Sequence, residues 1–205
     1  MSKFKLDYSY YENWISKLGY VLIGGIDEVG RGALAGPIVV AMCILPRNYS
    51  NSDIKDSKQL SASKREKLSK EIIKECIDYH IEIIEAKEVD LLNPKKASII
   101  GMQRCFQKIN IKPDYLLIDA EQIDNKVPCL SIIKGDEKSI SIAAAAILAK
   151  VFRDDLMIKF ANKYPNYFFE KHKGYGTKIH MDAIEKYKPI NGVHRFSYKP
   201  VKKHS

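Results

Sequence analysis

The 205-residue chain lacks the marks of several protein classes. In its second half the longest uncharged apolar run, 139–149, is 11 residues between Lys138 and Lys150. A membrane span needs about 20. The N-terminus, Met1 to Asp7, has no apolar core of a secretory signal. Cysteines are few, four in all at 43, 76, 105 and 129. None forms a Cys-x-x-Cys pair, which argues against zinc and redox motifs. Free thiols, buried or partly buried in a reducing cytoplasm, are the expectation. No internal repeat or low-complexity block is present. Hydrophobic residues make up 45% and charged residues 29%. That composition excludes a disordered or fibrous chain, and the length suffices for a core without disulfide staples.

What the chain has is an uneven positive charge. The net charge is +9. Residues 150–205 hold 13 basic and five acidic residues, so nearly all of the excess lies in the last quarter. The same segment carries four of the five histidines and seven aromatics between Phe152 and Tyr175. Basic residues interleaved with rings and glycine suit a phosphate backbone, and a solvated lysine-rich tail is the plainer alternative.

Hydrophobic periodicity alternates between strand and helix throughout, which defines an α/β chain. Residues 21–26, 38–45, 115–118 and 130–133 read as short buried strands, and 79–85 as a half-buried one. A short helix is expected around 8–17. Ser61 opens a helix with Leu68, Ile72, Ile73 and Cys76 on one face, and residues 46–60 read as a polar loop. Asn93 and Pro94 cap and start a helix that ends near Ile109. Ile140, Ala143, Ala144, Ile147 and Val151 mark a long helix. Beyond Tyr164 the pattern gives loops and one helix near 178–187. The expected organisation is an N-terminal segment 1–19, a core 20–162 and a basic C-terminal extension 163–205 packed on it.

The chemical signal is the position of the acids. Asp27, with Glu28 beside it, and Asp119 each end an apolar strand, and Asp136 follows another. Strand ends of one sheet gather at its edge, where four carboxylates would raise one another's pKa unless a cation neutralised them. Hard divalent ions take such oxygen ligands and serve phosphoryl chemistry. Acids that merely cap wet strand ends are the structural alternative. Gly30-Arg31-Gly32 allows close backbone approach and an arginine fork onto phosphate, or it is a simple turn. The segment from Lys171 to Thr177 combines donors, a ring and flexible backbone, as a nucleic-acid contact or an ordinary surface loop would. His172, His180 and His194 lack zinc spacing and read as surface or phosphate-contacting residues. A metal-dependent nuclease or phosphoesterase leads, ahead of a non-catalytic nucleic-acid-binding module, which a row of acids would weaken.

The motifs Gly25-Ile-Asp27-Glu28-Val-Gly-Arg-Gly32, Asp56-Ser-Lys58-Gln-Leu60, Leu117-Ile-Asp119, Lys134-Gly-Asp136, Ala149-Lys150-Val-Phe-Arg153-Asp154 and His172-Lys-Gly-Tyr-Gly-Thr177 resemble bacterial ribonuclease HII from about residue 20 to 201. The resemblance implies a ribonuclease H-like fold, a mixed five-stranded sheet flanked by helices. It implies endonucleolytic cleavage of the RNA strand of RNA–DNA hybrids, and cutting 5′ of ribonucleotides embedded in duplex DNA. Asp27, Glu28, Asp119 and Asp136 match the carboxylates that bind two divalent ions, Mn2+ or Mg2+. Gly30, Arg31 and Gly32 match the segment that reads the ribose 2′-hydroxyl, and Tyr175 the ring that stacks at the junction. Lys58 and Lys134 match phosphate contacts. Ala120 departs from the pattern, which has glycine after the third acid. The sister class, ribonuclease HIII, has an extra N-terminal domain and Glu at the fourth acid, where this chain has Asp136. A cytoplasmic monomer is implied, with no membrane partner and no clamp-binding tail in Pro200 to Ser205.

Overall fold

The computed structural model describes residues 7–55, 60–124 and 126–204. Five strands, β1 (Ile23–Val29), β2 (Ile38–Ile44), β3 (Asp78–Ile84), β4 (Tyr115–Asp119) and β5 (Cys129–Ile132), form one sheet in the order β3-β2-β1-β4-β5. β1–β2 and β2–β3 are antiparallel, whereas β1–β4 and β4–β5 are parallel. The mixed five-stranded sheet flanked by helices is therefore present. The β1–β2 connection needs no crossover, and the parallel β1–β4 pair is reached through helices, as parallel pairing commonly requires.

The helices are α1 (Tyr10–Lys17), α2 (Ser52–Lys55), α3 (Ala62–Glu75), α4 (Ala86–Leu92), α5 (Pro94–Lys108), α6 (Ile140–Lys163), α7 (Phe169–His172), α8 (Lys178–Tyr187) and α9 (Lys199–Lys202). Their starts follow from capping chemistry. The side chains of Ser61, Asn93, Ser139 and Thr177 accept backbone N–H groups of Lys64, Lys96, Ile142 and His180. Val40, Met42 and Ile44 of β2 bury one face of the sheet against Ala97, Met102 and Cys105 of α5. Val39, Ala41 and Cys43 bury the other against Leu68 and Ile72 of α3 and the alanines of α6. With both faces covered, β2 is apolar at every position. α6 lies closest to the sheet at Gly25, where a Cβ would stand 2.1 Å from the Ser141 carbonyl carbon.

The structure corrects several expectations. β1 does not stop before the acids: Asp27 pairs with Ala41 and Glu28 with Val40, so both belong to the strand. The polar stretch 46–60 contains α2, and α4 falls where no helix was expected. Ile73 of α3 points outward at 40% exposure while Leu68 and Ile72 are buried. The C-terminal region holds α7, α9 and a 3-10 turn, Pro165–Tyr167, besides α8. It packs on the end of α6 through Met157, Ala161, Tyr167, Phe169, Ala183 and Val193.

Candidate active site

Parallel pairing of β1 with β4 brings the first and third acids together. Ile26 pairs with Ile118, and Asp27 and Asp119 are the next residues on each strand. Side chains alternate along a strand, so Asp27 shares the α6 side of the sheet with Gly25, and Glu28 shares the α5 side with Ile26. Asp136 lies in the 3-10 turn Gly135–Glu137, after β5. That turn is tied to β4, because Asp119 Oδ1 accepts the Gly135 N–H at 2.6 Å. The Tyr8 hydroxyl donates to the Asp136 carbonyl from the N-terminal side. All four acids line one cleft of about 610 Å³.

The electrostatics of the cleft are costly without a counter-charge. The Asp27 carboxyl is pushed well above its ordinary range, first by burial, then by the charges of Glu28 and Asp119 and, more weakly, Asp136. Glu28 is pushed up to about 7 by burial, against the pull of Arg31. Glu28 Oε1 pairs with Arg31 Nη2 at 2.7 Å, while its Oε2 is buried with no hydrogen-bond partner. A buried, unpaired carboxylate oxygen among other carboxylates fits a hard divalent cation. Among the described residues no three acid, imidazole or thiol groups stand close enough together to hold a metal ion as they are placed. The four acids surround a cleft rather than a point.

Arg31 also has partners inside the protein. Besides Glu28, its guanidinium bonds Glu121 Oε1 at 2.9 Å and Ser98 Oγ at 3.2 Å. These contacts hold the guanidinium beside Glu28 while its side chain stays 35% exposed. The two flanking glycines also divide. Gly30 has φ +100°, and a Cβ there would fall 2.2 Å from Arg153 Nε, so the fold itself requires this glycine. A Cβ on exposed Gly32 would meet nothing within 4 Å. Nothing inside the protein explains Gly32, and its backbone is open to an approaching ligand.

Tyr175 is partly exposed, and its ring lies over the Arg153 guanidinium, 5.3 Å from the ring centroid. Arg153 is wholly buried and donates to the carbonyls of Pro37, Lys173 and Ala35. One guanidinium thus touches both Gly30 and Tyr175, which are far apart in sequence. Arg195, equally buried, holds the Arg31 and Gly36 carbonyls, and the Tyr198 hydroxyl also donates to Arg31. Lys134 lines the cleft with a largely exposed side chain. Lys58 lies outside the described residues. Arg65 and Lys150 also line the cleft; Lys150 and Arg153 stand in a quoted motif but had no role assigned to them. Arg65, Glu121 and Arg195 were not singled out at all. The signal they offer is a charge inside an otherwise apolar or turn-forming stretch.

His172, His180 and His194 are not surface residues: they are 7%, 0% and 1% exposed. They form a stacked and hydrogen-bonded group beneath the Tyr175 turn.

Fold and cleft together define a nuclease-type site, with carboxylates gathered at the junction of antiparallel and parallel strands. The family described as Ribonuclease HII matches residues 24–201, and the chain belongs to that family. It is 51% identical over 183 residues to Ribonuclease HII of Mycoplasma capricolum subsp. capricolum, covering 88% of each chain. It is 48% identical over 194 residues to Ribonuclease HII of Bacillus licheniformis, covering 95% of this chain and 76% of that one. Its fold is similar to the crystal structure of ribonuclease H2 from Pyrococcus horikoshii OT3, with TM-score 0.73 and 23% identity over 89% of this chain and 96% of that one. It is also similar to Bst-RNase HIII in complex with Mn2+, with TM-score 0.69 and 20% identity over 99% of this chain and 75% of that one. The chain is thus an endoribonuclease of the ribonuclease HII family. No helix among the described residues is long and apolar enough to cross a membrane.

Proposed function

We propose that this endoribonuclease hydrolyses the RNA strand of RNA–DNA hybrids and cuts on the 5′ side of ribonucleotides embedded in duplex DNA. The observation that carries the reading is the convergence of Asp27, Glu28, Asp119 and Asp136 on one cleft, where burial and neighbouring acids disfavour the charged forms of Asp27 and Glu28. These four would hold two divalent ions, Mn2+ or Mg2+, which when bound supply Lewis acidity to the attacking water and to the departing oxygen.

The chain's own groups orient that chemistry. Arg31, itself held by Glu121, fixes one oxygen of Glu28, and the other is buried with no hydrogen-bond partner. The Gly135 N–H fixes one oxygen of Asp119. Water adds to phosphorus as the bond to the 3′ oxygen of the preceding nucleotide breaks, leaving a 3′-hydroxyl and a 5′-phosphate. The 2′-hydroxyl of the ribonucleotide neighbours its own 3′ phosphate, not the phosphate being cut, and does not serve as nucleophile. It is instead a recognition group, both donor and acceptor. The open backbone at Gly32, within Gly30-Arg31-Gly32, would read it, and the Tyr175 ring would pack on the next sugar. Lys134 and Lys58 would contact phosphates.

The test is cleavage of three duplexes, with no ribonucleotide, one ribonucleotide or a full RNA strand, in each metal, with end-group mapping. Cutting 5′ of the single ribonucleotide is expected, and a 2′,3′-cyclic phosphate product would overturn the mechanism. Gly32→Ala tests the reading of the loop. The variant is expected to fold and melt like wild type, because its methyl meets no protein atom, while losing cleavage at the single ribonucleotide.

A further inference from the structure

The three buried histidines have one consistent pattern of protons. A backbone N–H can only donate, and the Ile190 N–H points at His194 Nδ1 at 2.9 Å. In a neutral ring the His194 proton therefore sits on Nε2. That atom faces His180 Nε2 at 3.2 Å, which must accept. His180 then carries its proton on Nδ1, which donates to the Tyr175 carbonyl at 3.0 Å. His172 repeats the logic: its Nδ1 accepts the Gly174 N–H, and its Nε2 donates to the Tyr167 carbonyl. Every ring nitrogen has a partner only while all three rings are neutral. Burial acts in the same direction, pushing His180 down to about 4 and His194 to about 3.

This chain ends on the residue proposed to stack at the junction. Its other end is joined to the segment that follows Gly32. Ala35 and His194 form a β-bridge, and Gly36 N–H donates to the Val193 carbonyl. Leu34 and Ala35 both donate to the Gly174 carbonyl, at 2.8 and 3.2 Å. Tyr175 has two further backbone bonds, its carbonyl accepting from Thr177 and its N–H donating to His172. His180 supplies the side-chain bond to the Tyr175 carbonyl itself, while His172 Nδ1 and Arg153 hold the neighbouring Gly174 N–H and Lys173 carbonyl and Arg153 supports the ring.

We propose that His180, with its proton held on Nδ1 by His194, is a positioning residue. It sets Tyr175 against the segment beginning at Gly30 and so contributes to selection of a single embedded ribonucleotide. The inference rests on the reading of Tyr175 as the junction-stacking ring.

An amide can replace either half of this imidazole. Asparagine places its nitrogen near the Nδ1 position and keeps a donor for the Tyr175 carbonyl. Glutamine places its amide near Nε2, keeps the contact with His194 and leaves that carbonyl short of a donor. The readout is the ratio of kcat/KM on a single-ribonucleotide duplex to kcat/KM on a long hybrid, for wild type, His180→Asn, His180→Gln and Tyr175→Ala, each checked for folding by thermal melt. His180→Gln is expected to lower the ratio about 5- to 10-fold, as loss of one partly buried hydrogen bond does. His180→Asn is expected to stay within about 2-fold of wild type, a smaller loss than that of the same bond. Equal shifts in the two variants, or no shift in His180→Gln while Tyr175→Ala lowers the ratio, would overturn the positioning role and leave the Tyr175 reading standing. An unchanged ratio in Tyr175→Ala would overturn both. Long-range proton–nitrogen correlation on the wild-type protein needs no variant: it is expected to find His180 protonated on Nδ1 and His194 on Nε2, and the opposite tautomers would refute the chain.

Discussion

Ala120 stands between Asp119 and Glu121 with φ +51°, in the left-handed region. The backbone is pinned there, because Ala120 N–H donates to Ile132 at 3.1 Å and Glu121 N–H donates back to Asp119 at 2.7 Å. An L-residue in that region costs about 1–2 kcal/mol relative to its right-handed counterpart. The Ala120 methyl is exposed, so its removal loses little packing. Glycine would relieve the strain but gain freedom in the unfolded chain, an opposing effect of about 0.4–1 kcal/mol. Ala120→Gly is therefore expected to stabilise by roughly 0.5–1 kcal/mol. For a chain of this size, 1 kcal/mol corresponds to about 2–4 °C in Tm. Urea and thermal denaturation of wild type and variant measure the difference. Because the Asp119 carboxylate stays anchored on the Gly135 N–H, cleavage by the variant should be preserved. A variant that melts lower than wild type would refute the argument from strain.

Asp27→Asn or Asp119→Asn should nearly abolish cleavage while leaving the fold intact, and in chelator Asp27→Asn should melt no lower than wild type, since the charge it removes is one the fold disfavours; near-normal turnover in either folded variant would sink the assignment. Acid should destabilise the protein through His180 and His194, whose folded pKa values lie below the ordinary 6.5. Their contribution is present above 6.5 and is lost as pH falls toward 4 for His180 and toward 3 for His194, by up to about 1.4 kcal/mol per pH unit for each proton the fold refuses. Urea unfolding across this range should show the loss, shallower in His180→Asn. Substrate binding should weaken as salt rises, with a smaller slope in Lys171→Gln/Lys173→Gln; an unchanged slope would place the duplex on another surface.

Much of the architecture was legible because burial writes itself into periodicity. β2 is apolar at every position since helices cover both its faces, and α6 shows its alanines where it meets the sheet. Capping residues located the starts of α3 and α5 for a chemical reason that survives folding. The failures share a cause. β1 was ended at Ile26 because hydropathy stops there, yet the backbone ladder runs on to Val29 through two carboxylates. α4 is seven residues long and buries only Ala86 and Val89, too little to set a period. The histidines read as surface residues because a sequence shows that a ring is polar, not that its nitrogens will find partners indoors.

The four acids that the cleft brings together stood out in the sequence, but the partners of the loop beside them did not. Gly30-Arg31-Gly32 reads in sequence as one flexible, positively charged contact. In the fold its three residues face three ways. Gly30 backs onto Arg153, the Arg31 side chain turns inward to Glu28, Glu121 and Ser98, and Gly32 alone opens outward. Apart from Glu28, the partners that decide this, Ser98, Glu121 and Arg153, are all distant in sequence, and no local pattern encodes them. The consequence is a mechanical link between the two tasks proposed for the loop. The arginine that holds a candidate metal ligand sits between the backbone positions proposed to read the sugar, and its own carbonyl is held by Arg195 and Tyr198 from the C-terminal extension. A shift of that loop would move the Glu28 carboxylate together with the reading surface, so a poorly seated duplex would also disturb the carboxylate set.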